Sequence, residues 1–163
     1  MIPSELVVFE NDHWIVNHRM NSTYAGYLMV ASKSEVSELS ALCPNSLSSL
    51  GLVLAEVERL LNRTFAPQKV IFSKLGFSKG FNCHFHAVPI SEALISEIRQ
   101  HGSYTDEPDG NDVMLFINRE YCENQDPEIV KEVVSESVAR IRKIIDHTRD
   151  RLCLDAFCKF TQR

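Results

Sequence analysis

The chain has 163 residues, 44% of them hydrophobic and 24% charged, with a net charge of −5; that is enough for one globular domain with a core of its own. The acidic balance argues against a broad basic surface for long nucleic acid, which draws on many Lys and Arg contacts to phosphate, while a small phosphorylated ligand needs only a few local donors. No run of about 18 apolar residues occurs, so no membrane span is expected, and "MIPSELVVFE" at the N-terminus lacks the basic and long apolar regions of a signal peptide.

In chain order, "ELVVFE" and "WIVNHRM" read as two strands joined at Asn11-Asp12, and "YLMVAS" (27–32) as a third. Leu47, Leu50, Leu54, Val57 and Leu61 recur at helical offsets, with Pro44-Asn45 to start the helix and Pro67 beyond its end. "KVIFSKL" (69–75) and "NCHFHAVPI" are strands joined through "GFSKGF", so they are expected to be neighbours. "SEALISEIRQ" reads as a short helix, "SYTDEPDGND" as an acidic loop and "VMLFIN" as a further strand. Asp126-Pro127 opens a long helix to about residue 150, with Val130, Val134, Ile141 and Ile145 as its buried stripe. The tail "RLCLDAFCKFTQR" has no clear pattern.

Cys43, Cys83, Cys122, Cys153 and Cys158 are odd in number, irregularly spaced and form no CxxC pair. A structural zinc site and a disulfide framework are therefore not expected, and a reducing cytoplasm fits. No repeat or linker interrupts the chain. The expected fold class is α+β, one domain over 1–163, with a core at about 5–120 and a C-terminal helix and tail at about 126–163.

Candidate chemistry lies in "FNCHFHAVPI" (81–90). Alternation on a strand puts Asn82, His84 and His86 on one face and Cys83, Phe85 and Ala87 on the other, apolar face. Three readings are open for the polar row. It is a solvated sheet face; or His84 and His86 ligate a metal, for which no further ligand is evident and His13, His18, His101 and His147 are scattered; or one imidazole attacks phosphorus while its neighbours hold the oxygens. Trp14 and the helix leucines read as core, the scattered histidines as surface, and Cys83 as buried.

The row resembles the motif of the histidine triad (HIT) superfamily of nucleotide hydrolases and transferases, His-φ-His-φ-His-φ-φ, often followed by Pro, with φ apolar. Here it reads Asn82-Cys83-His84-Phe85-His86-Ala87-Val88-Pro89, with Asn82 in the place of the first His. "VNHRMNSTYAGYLMVASKSEVSEL" is similar to the family's upstream strand–turn–strand segment, and the likeness covers roughly residues 5–90. Two more departures occur: Gly26-Tyr27 where the family has Gly-His, and "SKSE" (32–35) where Pro-Lys-x-His is common. The resemblance implies a HIT-like antiparallel sheet of about five strands with packed helices, a homodimer and no cofactor. It implies His84 as a nucleophile on the α-phosphate and His86 as a contact to its oxygens. Asn82 would set geometry without carrying charge. Nucleotide binding would fall to Asn17 at the ribose, to Tyr27, and to Ser73, Lys74 and Lys79 of the loop over the phosphates, where Ser78, Gly76 and Gly80 also lie. The implied function is a hydrolase or nucleotidyl transferase acting on a nucleoside phosphoramidate or dinucleoside polyphosphate. The alternative is a nucleotide-binding module with weak or no catalysis.

Overall fold

The structure is a computed structural model. It describes residues 2–77, 80–104 and 107–160, with side chains as far as residue 147. Five antiparallel strands, β1 (Val7–Glu10), β2 (Trp14–His18), β3 (Leu28–Ser32), β4 (Lys69–Ser73) and β5 (His84–Ile90), form one sheet in the order β1-β2-β3-β5-β4. The helices are α1 (Pro44–Phe65), α2 (Glu92–Gln100), α3 (Gly110–Cys122) and α4 (Pro127–Phe160). This is the α+β architecture that the alternating and helical patterns imply, and β4 and β5 are neighbours.

Each face of the sheet has its own core. On one, Trp14, Val16, Leu28, Val30 and Ala87 pack against Val53, Val57, Leu60 and Leu61 of α1 and Val134, Val138 and Ile141 of α4. The indole of Trp14 is fully buried and donates to the Ser46 carbonyl at 3.0 Å, tying β2 to the start of α1. On the other face, Tyr27, Val88 and Ile90 pack against Leu94 and Ile98 of α2 and Val113, Met114, Phe116 and Ile117 of α3. Both histidines of the polar row lie on this second face, beside its core.

Helix ends follow local chemistry. Pro44 occupies the first turn of α1, and Cys43 caps it by accepting from the Ser46 amide. The Asp126 carboxylate accepts from the Glu128 amide at 2.8 Å ahead of α4. The end of α1 is pressed against the turn before β3: at Gly26, with φ +80°, an added Cβ would lie 2.6 Å from the Phe65 ring. Only glycine suits both that backbone and that approach.

Three expectations are corrected. "VMLFIN" lies in α3, not in a strand. A reciprocal capping box between Asp109 and Asp112 starts the helix, and Val113, Met114, Phe116 and Ile117 bury at helical offsets. The stripe of α1 is wider and starts later than expected: Leu50, Leu54, Val57 and Leu61 do face the core, Val53 and Leu60 join them, and Leu47 is exposed. His18 is fully buried rather than superficial, because it shares the apolar face with Trp14 and Val16 at the end of β2. Among the described residues no helix is long and apolar enough to cross a membrane.

Candidate active site

Strand register builds the site. Ser73 pairs with His86, His86 with Met29, and Met29 with Asn17, so these four side chains form one row across β4, β5, β3 and β2. His84 pairs with Ala31 in the next row of the same face. The two imidazoles are 5.3 Å apart between ring centroids. β5 begins at His84, so Asn82 stands ahead of the strand, and its amide donates to the Ser32 carbonyl at 3.0 Å. The Asn82 side chain thus pins the entry of β5 to the end of β3.

The hydrogen bonds of each ring decide which nitrogen carries the proton. Nδ1 of His84 is 2.8 Å from the Asn82 carbonyl, which can only accept. Nδ1 therefore carries the proton, and Nε2 of the neutral ring holds a free lone pair. Nδ1 of His86 is 2.8 Å from the Tyr27 hydroxyl, which itself accepts from Arg19 at 2.9 Å. Tyr27 is 1% exposed, and its proton has no other acceptor among the described residues. It therefore points to His86, leaving His86 protonated at Nε2.

Burial holds His86 well below the usual histidine range, at about 4, and the nearby charges of His84 and Arg19 push in the same direction. At neutral pH His86 is an uncharged N–H donor.

Tyr27 immediately precedes β3 and meets His86 edge-on. Asn17 is buried; its amide nitrogen donates to the His18 carbonyl at 2.8 Å. The Asn17 Oδ1 and Ser73 Oγ have no hydrogen-bond partner among the described residues. Lys74 is exposed in the loop after β4. Lys79 and Ser78 lie outside the described residues. Gly76 lies against His84: an added Cβ would be 2.9 Å from its Cε1. Leu75, Phe77 and Phe81 of the same loop are exposed, Phe81 with its ring 6.1 Å from that of His84.

Two residues escape a reading of the sequence. Arg19 reaches Tyr27 through its hydroxyl and lies over its ring at 4.9 Å. Asn118 of α3 accepts from Arg19 at 3.1 Å. Arg19 lies within the quoted upstream segment but is not among the residues nominated from it, and Asn118 sits where a strand is expected. Among the described residues no group of three or more His, Cys, Asp or Glu is placed to hold a metal ion. A cavity of about 700 Å³ lies between α4 and the turns after β2 and α3, lined by Leu6, Met20, Cys122 and Lys131 among others. No histidine lines it.

The order of strands and helices has counterparts among solved structures. A diadenosine triphosphate hydrolase from Plasmodium falciparum superposes with a TM-score of 0.59 at 9% identity, over 90% of this chain and 80% of that one. A Hit-like protein involved in cell-cycle regulation from Bartonella henselae gives 0.57 at 16% identity, over 87% of both chains. A hypothetical histidine triad nucleotide-binding protein from Sulfolobus tokodaii gives 0.56 at 15%, over 85% of both. The fold is that of the histidine triad proteins. No family model matches the sequence, and no curated protein matches it either. The likeness of this histidine triad fold therefore rests on three-dimensional structure.

Proposed function

We propose that the protein is a nucleotide hydrolase or nucleotidyl transferase that works through a covalent intermediate on His84. The observation that carries this reading is the contrast in partners of two imidazoles on one sheet face: Nδ1 of His84 meets a backbone carbonyl and Nδ1 of His86 a phenol, from which a lone pair at Nε2 of His84 and a proton at Nε2 of His86 follow. A nucleophile and an oxygen-stabilising donor are both needed for displacement at phosphorus.

In this reading a nucleoside phosphoramidate or dinucleoside polyphosphate binds across the row. The buried Oδ1 of Asn17 accepts from a ribose hydroxyl, and the Ser73 hydroxyl, with Lys74 and Lys79, serves the phosphates. Nε2 of His84 attacks the α-phosphorus, the bond to the leaving group breaks, and a P–N bond to His84 forms. The leaving group takes the bonding electron pair and, where it is an amine, a proton from solvent, which the water of the second step gives back. His86 donates to a non-bridging oxygen as its charge grows. Water then attacks the phosphorus, the P–N bond breaks back to His84, and a nucleoside monophosphate leaves. Asn82 acts through its backbone carbonyl, a group every residue at that position supplies, which is why loss of an imidazole there is compatible with turnover. No metal or cofactor enters the scheme.

The test follows AMP release by chromatography from adenosine phosphoramidate, diadenosine triphosphate and diadenosine tetraphosphate. Wild type is expected to release AMP from at least one of them, and His84→Ala from none while melting as a folded protein. Equal rates in the two would overturn the assignment.

A second reading, a binding module without turnover, draws on the missing charge at Asn82. It requires that AMP raise the melting temperature with no product formed from any substrate, since a ligand selective for the native state stabilises it. The same scheme takes the protein as a cytoplasmic homodimer. The free thiols of Cys43, Cys83 and Cys122 suit that compartment, and sedimentation velocity tests the dimer.

A further inference from the structure

Behind His86 lies a chain of groups that the proposed chemistry does not by itself require. Arg19 is held at three points: Nε donates to Asn21 Oδ1 at 2.9 Å, one terminal nitrogen to the Tyr27 hydroxyl at 2.9 Å, and the other to Asn118 Oδ1 at 3.1 Å. The Asn118 amide is in turn oriented by Glu123 at 2.9 Å. The guanidinium also lies over the Tyr27 ring. Its hydrogen-bond acceptors are two neutral amides and a phenol, and no carboxylate pairs with it directly among the described residues. Its positive charge is therefore not cancelled by direct contact.

The direction of the bonds matters as much as their number. Arg19 has no acceptor, so it donates to Tyr27; Tyr27, buried, donates to Nδ1 of His86, which leaves the His86 proton on Nε2. The donors thus run in one sense along the chain, from Arg19 through Tyr27 to His86. Aligned donors polarise one another, so a cation at one end strengthens the N–H at the other.

We propose that Arg19 and Tyr27 are positioning residues that lock His86 with its proton on Nε2 and restore to the site, through that hydrogen-bonded chain, the positive charge that Asn82 does not supply. The proposal rests on the reading of His86 as the donor to the phosphoryl oxygens. It assigns a reason to two departures at once: a Tyr at position 27 is able to relay the charge of Arg19 because its hydroxyl accepts on one side and donates on the other. The pKa of His86 is lowered chiefly by burial, and the Arg19 charge adds in the same direction.

The experiment is ¹⁵N histidine NMR on the wild type, Tyr27→Phe, Arg19→Gln and Arg19→Lys, followed by kinetics on the best AMP-releasing substrate. In the free wild type, His86 is expected to be neutral at pH 7 with its proton on Nε2. In Tyr27→Phe, Nδ1 loses its donor and the tautomers are expected to mix. In Arg19→Gln, His86 is expected to titrate at higher pH, and kcat to fall about a hundredfold with KM little changed, the scale seen when one stabilising donor is lost. Arg19→Lys is expected to recover part of that loss. A wild-type His86 protonated on Nδ1 would overturn the proposal with no variant needed. So would Tyr27→Phe with an unchanged tautomer, or Arg19→Gln with unchanged kcat and titration. If no substrate is turned over, the NMR result still stands or falls alone, so failure of the enzymatic reading is distinguishable from failure of the relay.

Discussion

His84 and His86 are two positions apart on one strand, yet their surroundings give them opposite chemistry. A backbone carbonyl turns one ring into a lone-pair donor, and a buried phenol turns the other into a proton donor. The depressed pKa of His86 also carries a stability consequence. Its folded value, about 4, lies below the ordinary 6.5, so between those pH values the unfolded chain binds more protons. Stability from this group is complete above about pH 6.5 and is lost as pH falls toward 4. His18, lowered chiefly by its burial, acts in the same direction. Melting temperature measured from pH 7 to pH 4 is expected to fall less steeply in His86→Gln than in the wild type, with His18 supplying the remaining slope. Parallel curves would contradict the assignment of His86. The histidine row was legible in the sequence because alternation alone places 84 and 86 together. Arg19 was not, because its partners, Tyr27 and Asn118, are 8 and 99 positions away and only the fold brings them to it.

At the scale of elements, the loop after β4 touches the site at Gly76. Gly76 has no side chain because the His84 imidazole occupies that space, at 2.9 Å from where a Cβ would be. Gly76→Ala is expected to displace the ring and lower kcat about a hundredfold, since misplacing a reacting group by about 1 Å costs that much. The melting temperature should change little, because the loop is exposed and its neighbours Leu75 and Phe77 are outside both cores. A Gly76→Ala protein with full activity would show that the ring yields without penalty. The same scale holds the main misreading. "VMLFIN" is a short apolar run that periodicity alone leaves ambiguous between strand and buried helix. The discriminating signal lay just upstream, in the Asp109 and Asp112 capping box, and the loop reading of "SYTDEPDGND" absorbed it.

For the whole molecule, the two-sided sheet divides the work. One face is covered by α1 and α4, and carries the larger core; the other is covered by α2 and α3 at one end and leaves the histidine row beside them. α4, whose place the sequence did not indicate, buries Val134, Val138 and Ile141 against the sheet and α1, and Arg142 hydrogen-bonds the carbonyls of Ser4 and Val7. The C-terminal helix is thereby part of the scaffold behind β1 and β2. The five strands and the helices α1, α2 and α4 were readable from local patterns; α3, the pairing of β3 with β5, and the register that puts Asn17, His86 and Ser73 in one row were not, the last two because they come from pairing over long sequence distances. What the row does is decided most directly by looking for the intermediate. Wild-type protein mixed with its best AMP-releasing substrate, quenched in alkali at successive times and digested, is expected to carry one nucleotidyl group on the His84 peptide that forms before free AMP accumulates. AMP accumulating while that peptide stays unmodified at every time, or a nucleotidyl group on any other residue, would contradict the account.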